Sequence, residues 1–312
     1  MLAYISRRIV QMIPVLFLLT LFIFFLIRFI PGDPASAILG DRATTEMVAD
    51  LRARLHLDDP LWQQYLVFMR NLIFHGDMGN SIRKGDPVIE LVLHRLPPTV
   101  FVAVYASLLA LLITVPLAAI AALNNNRWPD YVVRTFAMIS LAMPAYWIGM
   151  MLLQFFAVKY KVFPVAGYGD GFFGHLESLF LPSLALALGI ASILIRSLRN
   201  SLLETLSADY VRTARAKGLS GRGVFVWHVL RTSALSTLTI LSVNFAYLIG
   251  GAAVTETIFA IPGIGSLVVS SIFNRDYPVI QGTTLFFGLL VMVISLITDV
   301  IYALLDPRVQ YH

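Results

Sequence analysis

Residues 209–218, Asp-Tyr-Val-Arg-Thr-Ala-Arg-Ala-Lys-Gly, are the stretch whose residue types and spacing most clearly select a chemistry, and that chemistry is docking. With the following Leu-Ser-Gly-Arg-Gly the segment carries four basic side chains, Arg212, Arg215, Lys217 and Arg222, between two long apolar runs. Asp209 at the start, Arg215 and Lys217 later and Gly218 at the end follow the charge and stop pattern of a short helix. Tyr210, Thr213, Ala214 and Lys217 recur at i, i+3, i+4 and i+7 and so share one face. A helix that rests on lipid needs Leu, Phe or Trp on its buried side. Here that side offers Ala214, Ala216, Thr213 and one tyrosine, which bury little apolar area. Small side chains let a backbone approach another protein closely, so 209–218 reads as a peg for a protein groove. A plain membrane-surface anchor is the bland alternative.

Covalent chemistry has no comparable residues. There is no His-Glu-x-x-His pair for zinc and no Gly-x-Ser-x-Gly elbow; the serine of Gly-Ile-Gly-Ser at 263–266 sits one place off. Histidines 56, 75, 94, 175, 228 and 312 are scattered, and cysteine is absent. No Gly-Lys-Ser/Thr occurs, so a phosphate-binding loop of the Walker type is missing. The chain reads as a non-enzyme with no catalytic residue, no metal site and no cofactor of its own. If ATP drives it, another chain hydrolyses the nucleotide.

A second group of residues suits a polar path through an apolar medium: Gln154, Asn244, Tyr247, Gly250, Gly251 and Glu256. Taken singly, the glycines read equally well as sites of close helix packing and the amide groups as interhelical glue. Glu256 precedes the Pro/Gly-rich Ala-Ile-Pro-Gly-Ile-Gly and is expected to meet backbone N–H groups freed by that break. Arg28, Glu256 and Asp299 are the ionisable groups within apolar runs. Three scattered charges make no relay, so an ion-coupled carrier is the weaker reading.

The elements that must position these groups follow from composition. Of 312 residues 58% are hydrophobic and 13% charged, and mean hydropathy is +0.79; lipid is the solvent such a chain needs. Six runs are long enough to span a bilayer, near 9–30, 99–123, 135–158, 179–195, 235–258 and 283–305. The first is too long for a cleavable signal and runs into Arg28 and Pro-Gly-Asp-Pro. With both termini inside, the inner segments hold twelve Lys and Arg, among them Arg127, Arg134, Arg196, Arg199, Arg231 and Arg308. The short outer loops hold three, Lys159, Lys161 and Arg275. The termini and residues 200–233 therefore face the cytoplasm, and the +5 net charge reflects membrane topology, with no nucleic-acid partner. In the long outer segment 31–96, residues 58–76 read as a helix with Asp59 able to cap, Pro60 in its first turn and Gly76 closing it. Its stripe of Trp62, Tyr65, Leu66, Met69, Leu72 and Ile73 suits a helix lying on the membrane or on neighbouring helices, with a platform for an external partner as the functional alternative.

Asp209–Leu219 resembles the cytoplasmic loop of ABC-importer permeases, in the form found in dipeptide and oligopeptide permease subunits. The resemblance runs the length of the chain in order. It includes "RRIVQMIPVLFLLTLFIFFLIRFIPGDPA", "GDMGNSIRKGDPV", "RLPPTVFVAV", "MPAYWIGMMLLQFFAVKYKVFPVAGYG", "LPSLALALGIASILIRSLRNSLLE", "ETIFAIPGIGSLVVSSIFNRDYPVIQG" and "LLDPRVQ". It implies an all-α integral membrane protein of six transmembrane helices with the type I ABC-importer permease fold. A five-helix MetI-like core would cover 97–312, and 1–96 would add an N-terminal helix and a long extracytoplasmic segment. It further implies a second, homologous permease subunit, two cytoplasmic ATP-binding subunits gripping 209–218, and an extracytoplasmic solute-binding protein at the outer face of a bacterial inner membrane, ATP and Mg being bound by the partners. The implied solutes are dipeptides or short oligopeptides, with glutathione, nickel, opines and oligosaccharides as alternatives. Two departures stand out. Arg212-Thr213-Ala214 replaces the Glu-Ala-Ala of the broader importer loop, as the peptide subfamily does. Ser236 stands where many peptide permeases have a proline, which leaves the start of the fifth span open.

Overall fold

The computed structural model describes residues 2–29, 35, 39, 44–54 and 57–305. Arg308, the Pro-Gly-Asp-Pro of 31–34 and the side chains of Arg28 and Asp299 lie outside the described residues. What is described is helical, with one isolated bridge between Asn80 and Pro87 and no strand. Among the described residues five helices are long and apolar enough to cross a membrane, and a bent pair supplies a sixth crossing if counted as one span. The hydropathy pattern predicts spans that stop where hydropathy falls; several helices run further, and the one over Val88–Leu123 continues even through Pro97 and Pro98.

Residues divide into two compact units, 1–97 with 262–296 and 98–261 with 297–312. In the first unit α1 (Leu2–Phe29) packs against α3 (Leu61–His75), which follows α2 (Thr45–Arg54). Tyr65 of α3 is buried edge-on against Phe17 and Phe24, and its hydroxyl lies 2.9 Å from that of Thr20. The expected stripe is thus half used: Tyr65 is buried, while Trp62, Leu66 and Ile73 stay exposed. Gly76 closes α3 at φ 63° as expected, but Pro60 occupies the N-cap position and no side chain caps it. Asp59 lies one residue too early; its carbonyl instead accepts from the Gln64 amide at 2.9 Å.

The same unit contains the first turns of α4 (Val88–Leu123) and the start of a final helix, which bury Val88, Val92 and Val279 with Ile264 and Leu267 from a short helix at Ile264–Asn274. A Cβ on Gly282 would sit 2.5 Å from a Val88 methyl, so only glycine allows this approach. Asp276, 4% exposed, takes the Ser81 hydroxyl at 2.6 Å and the Ile82 N–H at 3.1 Å, pinning the 81–84 turn to the segment before the last helix. Hydrogen bonds to a charged acceptor contribute about 1.5–3 kcal/mol each. Asp276→Ala is accordingly expected to cost about 3 kcal/mol and to expose the 77–87 segment to protease. Wild-type unfolding temperature and wild-type protease resistance in that variant would show the clasp to be idle.

The second unit continues α4 and adds α5 (Trp128–Ala142), α6 (Ala145–Lys159), α7 (Gly171–Ser207), α8 (Asp209–Ala216) and α9 (Gly221–Ile258); α10 (Ile264–Asn274) and α11 (Tyr277–Leu305) complete the order. The third expected span is not one helix. α5 and α6 meet at 100°, because Pro144 has no N–H to continue α5 and forces Met143 into extended backbone at φ −88°, ψ 127°. α7 is the buried axis of the unit. It runs past its expected end at Ile195, since Leu198 and Leu202 keep the apolar period going and both are fully buried. α9 passes through Ser236 without a break, so its start lies at Gly221. Residues 200–233 are therefore two helix ends clasping a short helix rather than a loop.

Candidate functional site

α8 is built from two sides with different roles. Val211 is fully buried in a cluster with Ala118, Ala122, Leu198, Leu202 and Val229, and Ala214 packs against the same cluster. Those contacts seat α8 on its own fold. The helix closes where Gly218 takes φ 83°, its N–H bonding the Arg215 carbonyl at 3.0 Å, a backbone shape that residues with a Cβ resist. Ser220 then caps α9, its hydroxyl accepting from the Gly223 N–H.

The outward side of α8 carries Tyr210, 47% exposed, with Thr213, Ala216 and Lys217 exposed beside it. Arg212 and Arg215 are exposed as well, Arg212 lying 3.7 Å from Asp209 in a solvent-screened pair. One residue of the expected contact face therefore changes sides. Ala214 belongs to the seam with Val211, which stands three residues before it and is the one aliphatic side chain larger than alanine in 209–218.

Behind α8, Arg199 of α7 grips Asp130 at the start of α5. Its Nε and Nη2 each donate at 2.6 Å to the two carboxylate oxygens, and Nη2 also donates to the Asn125 side-chain oxygen at 2.9 Å. Asp130 is fully buried and further accepts the Asn126 N–H at 3.0 Å. Arg199 is thus no free surface charge of the inner segments; its partner lies 69 residues away in sequence, beyond the range of any local pattern.

The polar residues considered for a path separate into two sets. Asn244, Tyr247 and Gly251 line one open groove of about 470 Å³ between α5, α7 and α9, together with Met143, Pro144 and Gly189 at the bend. No charged side chain lines it. Asn244 donates to the Ile240 carbonyl of its own helix at 2.8 Å, and Tyr247 is 75% exposed. A Cβ added at Gly250 or Gly251 would meet nothing within 4 Å, so within this chain these glycines face open space instead of a packed helix. Gln154, in the last turns of α6, is exposed and outside the groove lining, as is Gly250. Glu256 also lies apart: it is fully buried and accepts the Thr99 hydroxyl at 2.7 Å, while its backbone carbonyl takes the Ile261 N–H at 2.8 Å across the break.

Comparison with known proteins gives the same picture along the whole length. A family model described as "Binding-protein-dependent transport system inner membrane component" matches residues 114–311, and the N-terminal model of the same transport systems matches 1–103. The chain is 39% identical to a probable peptide ABC transporter permease protein of Sinorhizobium fredii, over 99% of each sequence. It is 39% identical to a putative peptide transport system permease protein of Brucella abortus and 37% identical to a glutathione transport system permease protein of Salmonella choleraesuis, each over 100% of both chains. Among solved structures, a chain of the inward-facing MetNI methionine ABC transporter superposes with a TM-score of 0.58 at 16% identity, covering 69% of this chain and 96% of that one. An amino acid ABC transporter gives 0.51 at 13% identity, over 71% and 95%. At these identities the structural likeness speaks for the fold alone.

Proposed function

The chain belongs to the family of binding-protein-dependent transport system inner membrane components, and from that premise we propose that it is the permease subunit of an ATP-binding-cassette importer moving dipeptides or short oligopeptides into the cell. The observation that carries the reading is the full-length match to peptide permeases combined with a basic helix, α8, seated on its own core yet bare on its outer face.

Each structural feature takes a role in that proposal. Both termini and α8 face the cytoplasm, and Tyr210, Arg212, Thr213, Arg215, Ala216 and Lys217 present the surface that an ATPase subunit grips. Two such ATPases serve a pair of homologous permeases, and a solute-binding protein delivers cargo from outside. Residues 97–312 act as the transport core and 1–96 as its N-terminal addition. The open face of α9 at Tyr247, Gly250 and Gly251, with Asn244 beside it, supports a cavity shared with the second permease. Val211 and the Asp130–Arg199 clamp tie α8 rigidly to α4, α5 and α7, so displacement of the peg moves the groove walls as one body. The groove then alternates between two packed arrangements as the ATPases close on nucleotide and reopen after hydrolysis.

Reconstitution in proteoliposomes with the second permease, the ATPases and the binding protein tests this. Uptake of a labelled dipeptide should require the ATPases and ATP, and should survive an uncoupler. Undiminished uptake without the ATPases would overturn the importer reading. ATP-driven uptake of an oligosaccharide or nickel in place of peptide would overturn the substrate alone.

A further inference from the structure

Below the neutral groove α5 and α7, with the turn before α5, enclose a second open cavity of about 430 Å³, and its chemistry differs. Arg134 from α5 and Arg196 and Arg199 from α7 line it, with the side chains of Asn125, Asn126 and Asn200, and no carboxylate is among the lining residues. Leu141 lines both cavities. On α5 the lining steps from Arg134 through Met138 to Leu141, with Pro144 just past its end; on α7 it steps from Gly189 and Ile193 through Ser192 and Ile195 to Arg196 and Arg199. On α5 the lining keeps one face, while on α7 it turns by about a quarter of the circumference, so the two cavities adjoin at Leu141 along a twisting groove. It begins uncharged and ends basic.

The three arginines are not equivalent. Arg199 is spent on Asp130, whose two oxygens it fills at 2.6 Å. Arg134 and Arg196 are exposed and form no ion pair with any described residue; the Arg134 guanidinium stands 5.8 Å from the Tyr131 ring. Two guanidiniums are thus left over a wall whose own charge is balanced. Each has paired N–H donors whose fork matches a carboxylate. Apolar Ala137, Met138 and Ile195 form the rest of the wall.

We propose that this basic end of the groove is a receiving site for the carboxylate of the transported solute, engaging Arg134 and Arg196, so that a peptide leaves the neutral stretch carboxyl end first. The inference rests on the peptide and orientation readings above. A peptide at neutral pH carries an ammonium at one end and a carboxylate at the other. The basic cavity repels the first and attracts the second. The neutral stretch above, with only amide and hydroxyl groups, holds neither end firmly, which leaves the arginines as the place where polarity is imposed. Because the site is open, bound solute is not trapped.

The probe is a tripeptide with a free carboxylate and a photoreactive diazirine on its last residue, paired with an isomer bearing the diazirine on its first. Both are supplied to the reconstituted full assembly. Wild type should take up both, and cross-links from the carboxyl-end probe should map to 134–141 and 192–200 on this chain. Cross-links from the amino-end probe should fall higher, around 244–255. Arg134→Gln with Arg196→Gln should cut the carboxyl-end cross-links at least about tenfold, the loss of one charge-assisted hydrogen bond being already worth that much, with little change in those of the amino-end probe. Cross-links spread alike for both probes, or unmoved by the double variant, would overturn the site while wild-type uptake leaves the importer reading standing. If the double variant lowers both probes equally and vesicles of cardiolipin and phosphatidylcholine restore them relative to phosphatidylcholine alone, the arginines hold a lipid headgroup and the proposal fails. Absence of peptide uptake by the wild-type assembly would remove the substrate reading and this inference with it.

Discussion

Arg199→Met is expected to destabilise the folded chain by about 3–5 kcal/mol, the range for breaking a buried ion pair from one side. Asp130 is fully buried and its partners are few: two donations from Arg199, and the N–H of Asn126. Removing the guanidinium leaves the carboxylate with one backbone donor. Arg199→Lys should recover part of the loss, because an ammonium supplies charge without the fork that meets both oxygens. Asp130→Asn added to Arg199→Met should recover more, since the uncompensated charge is then gone. Thermal unfolding of the purified chain in detergent reads all three, and wild-type stability in Arg199→Met would show the pair to be decorative. The clamp matters beyond stability, because it joins the start of α5 to α7 in the turns just ahead of α8. A loosened clamp should therefore also weaken transport in protein that still folds.

How much of this was legible beforehand depends on the range of the signal. Apolar runs set the spans because hydropathy is local, and the missing catalytic motifs are equally local. The bend at Pro144 was legible in principle: a proline preceded by a residue driven to extended backbone ends a helix, yet the apolar run through Met143–Trp147 looked continuous. Val211 was within reach too, since it is the one aliphatic side chain larger than alanine in 209–218, and its burial decides which way Ala214 faces. Asp130 with Arg199 and Ser81 with Asp276 lie 69 and 195 residues apart, and no periodicity predicts which distant charge meets which donor. The same limit explains the path residues. Asn244, Tyr247 and Gly251 share a helix and a face, so they arrive at one groove together. Gln154 lies outside that lining, and Glu256, which suits a helix interface as well as a path, accepts the Thr99 hydroxyl of α4.

Tyr210→Ala combined with Arg215→Glu should lower substrate-stimulated ATP hydrolysis and peptide uptake at least tenfold while the chain stays folded in the membrane. Both side chains are exposed and neither belongs to the Val211 cluster, although they flank its seam. Tyrosine and arginine are the residue types that most often dominate an interface, at about 2–4 kcal/mol each when truncated there. A loss even at the low end shifts assembly or coupling by more than an order of magnitude. Ala214 is the wrong residue for this test, since a large side chain there would pry α8 off its own core and mimic a lost partner. Val211→Asp serves as the contrast: it should depress unfolding temperature along with activity, whereas the outer-face pair should depress activity alone. Arg212→Ala should do less than either, because its pairing with Asp209 at 3.7 Å is exposed and screened. If Tyr210→Ala with Arg215→Glu leaves hydrolysis and uptake at wild-type levels in the reconstituted assembly, α8 is not the element through which ATPases move this chain, and force must enter the groove walls by another contact.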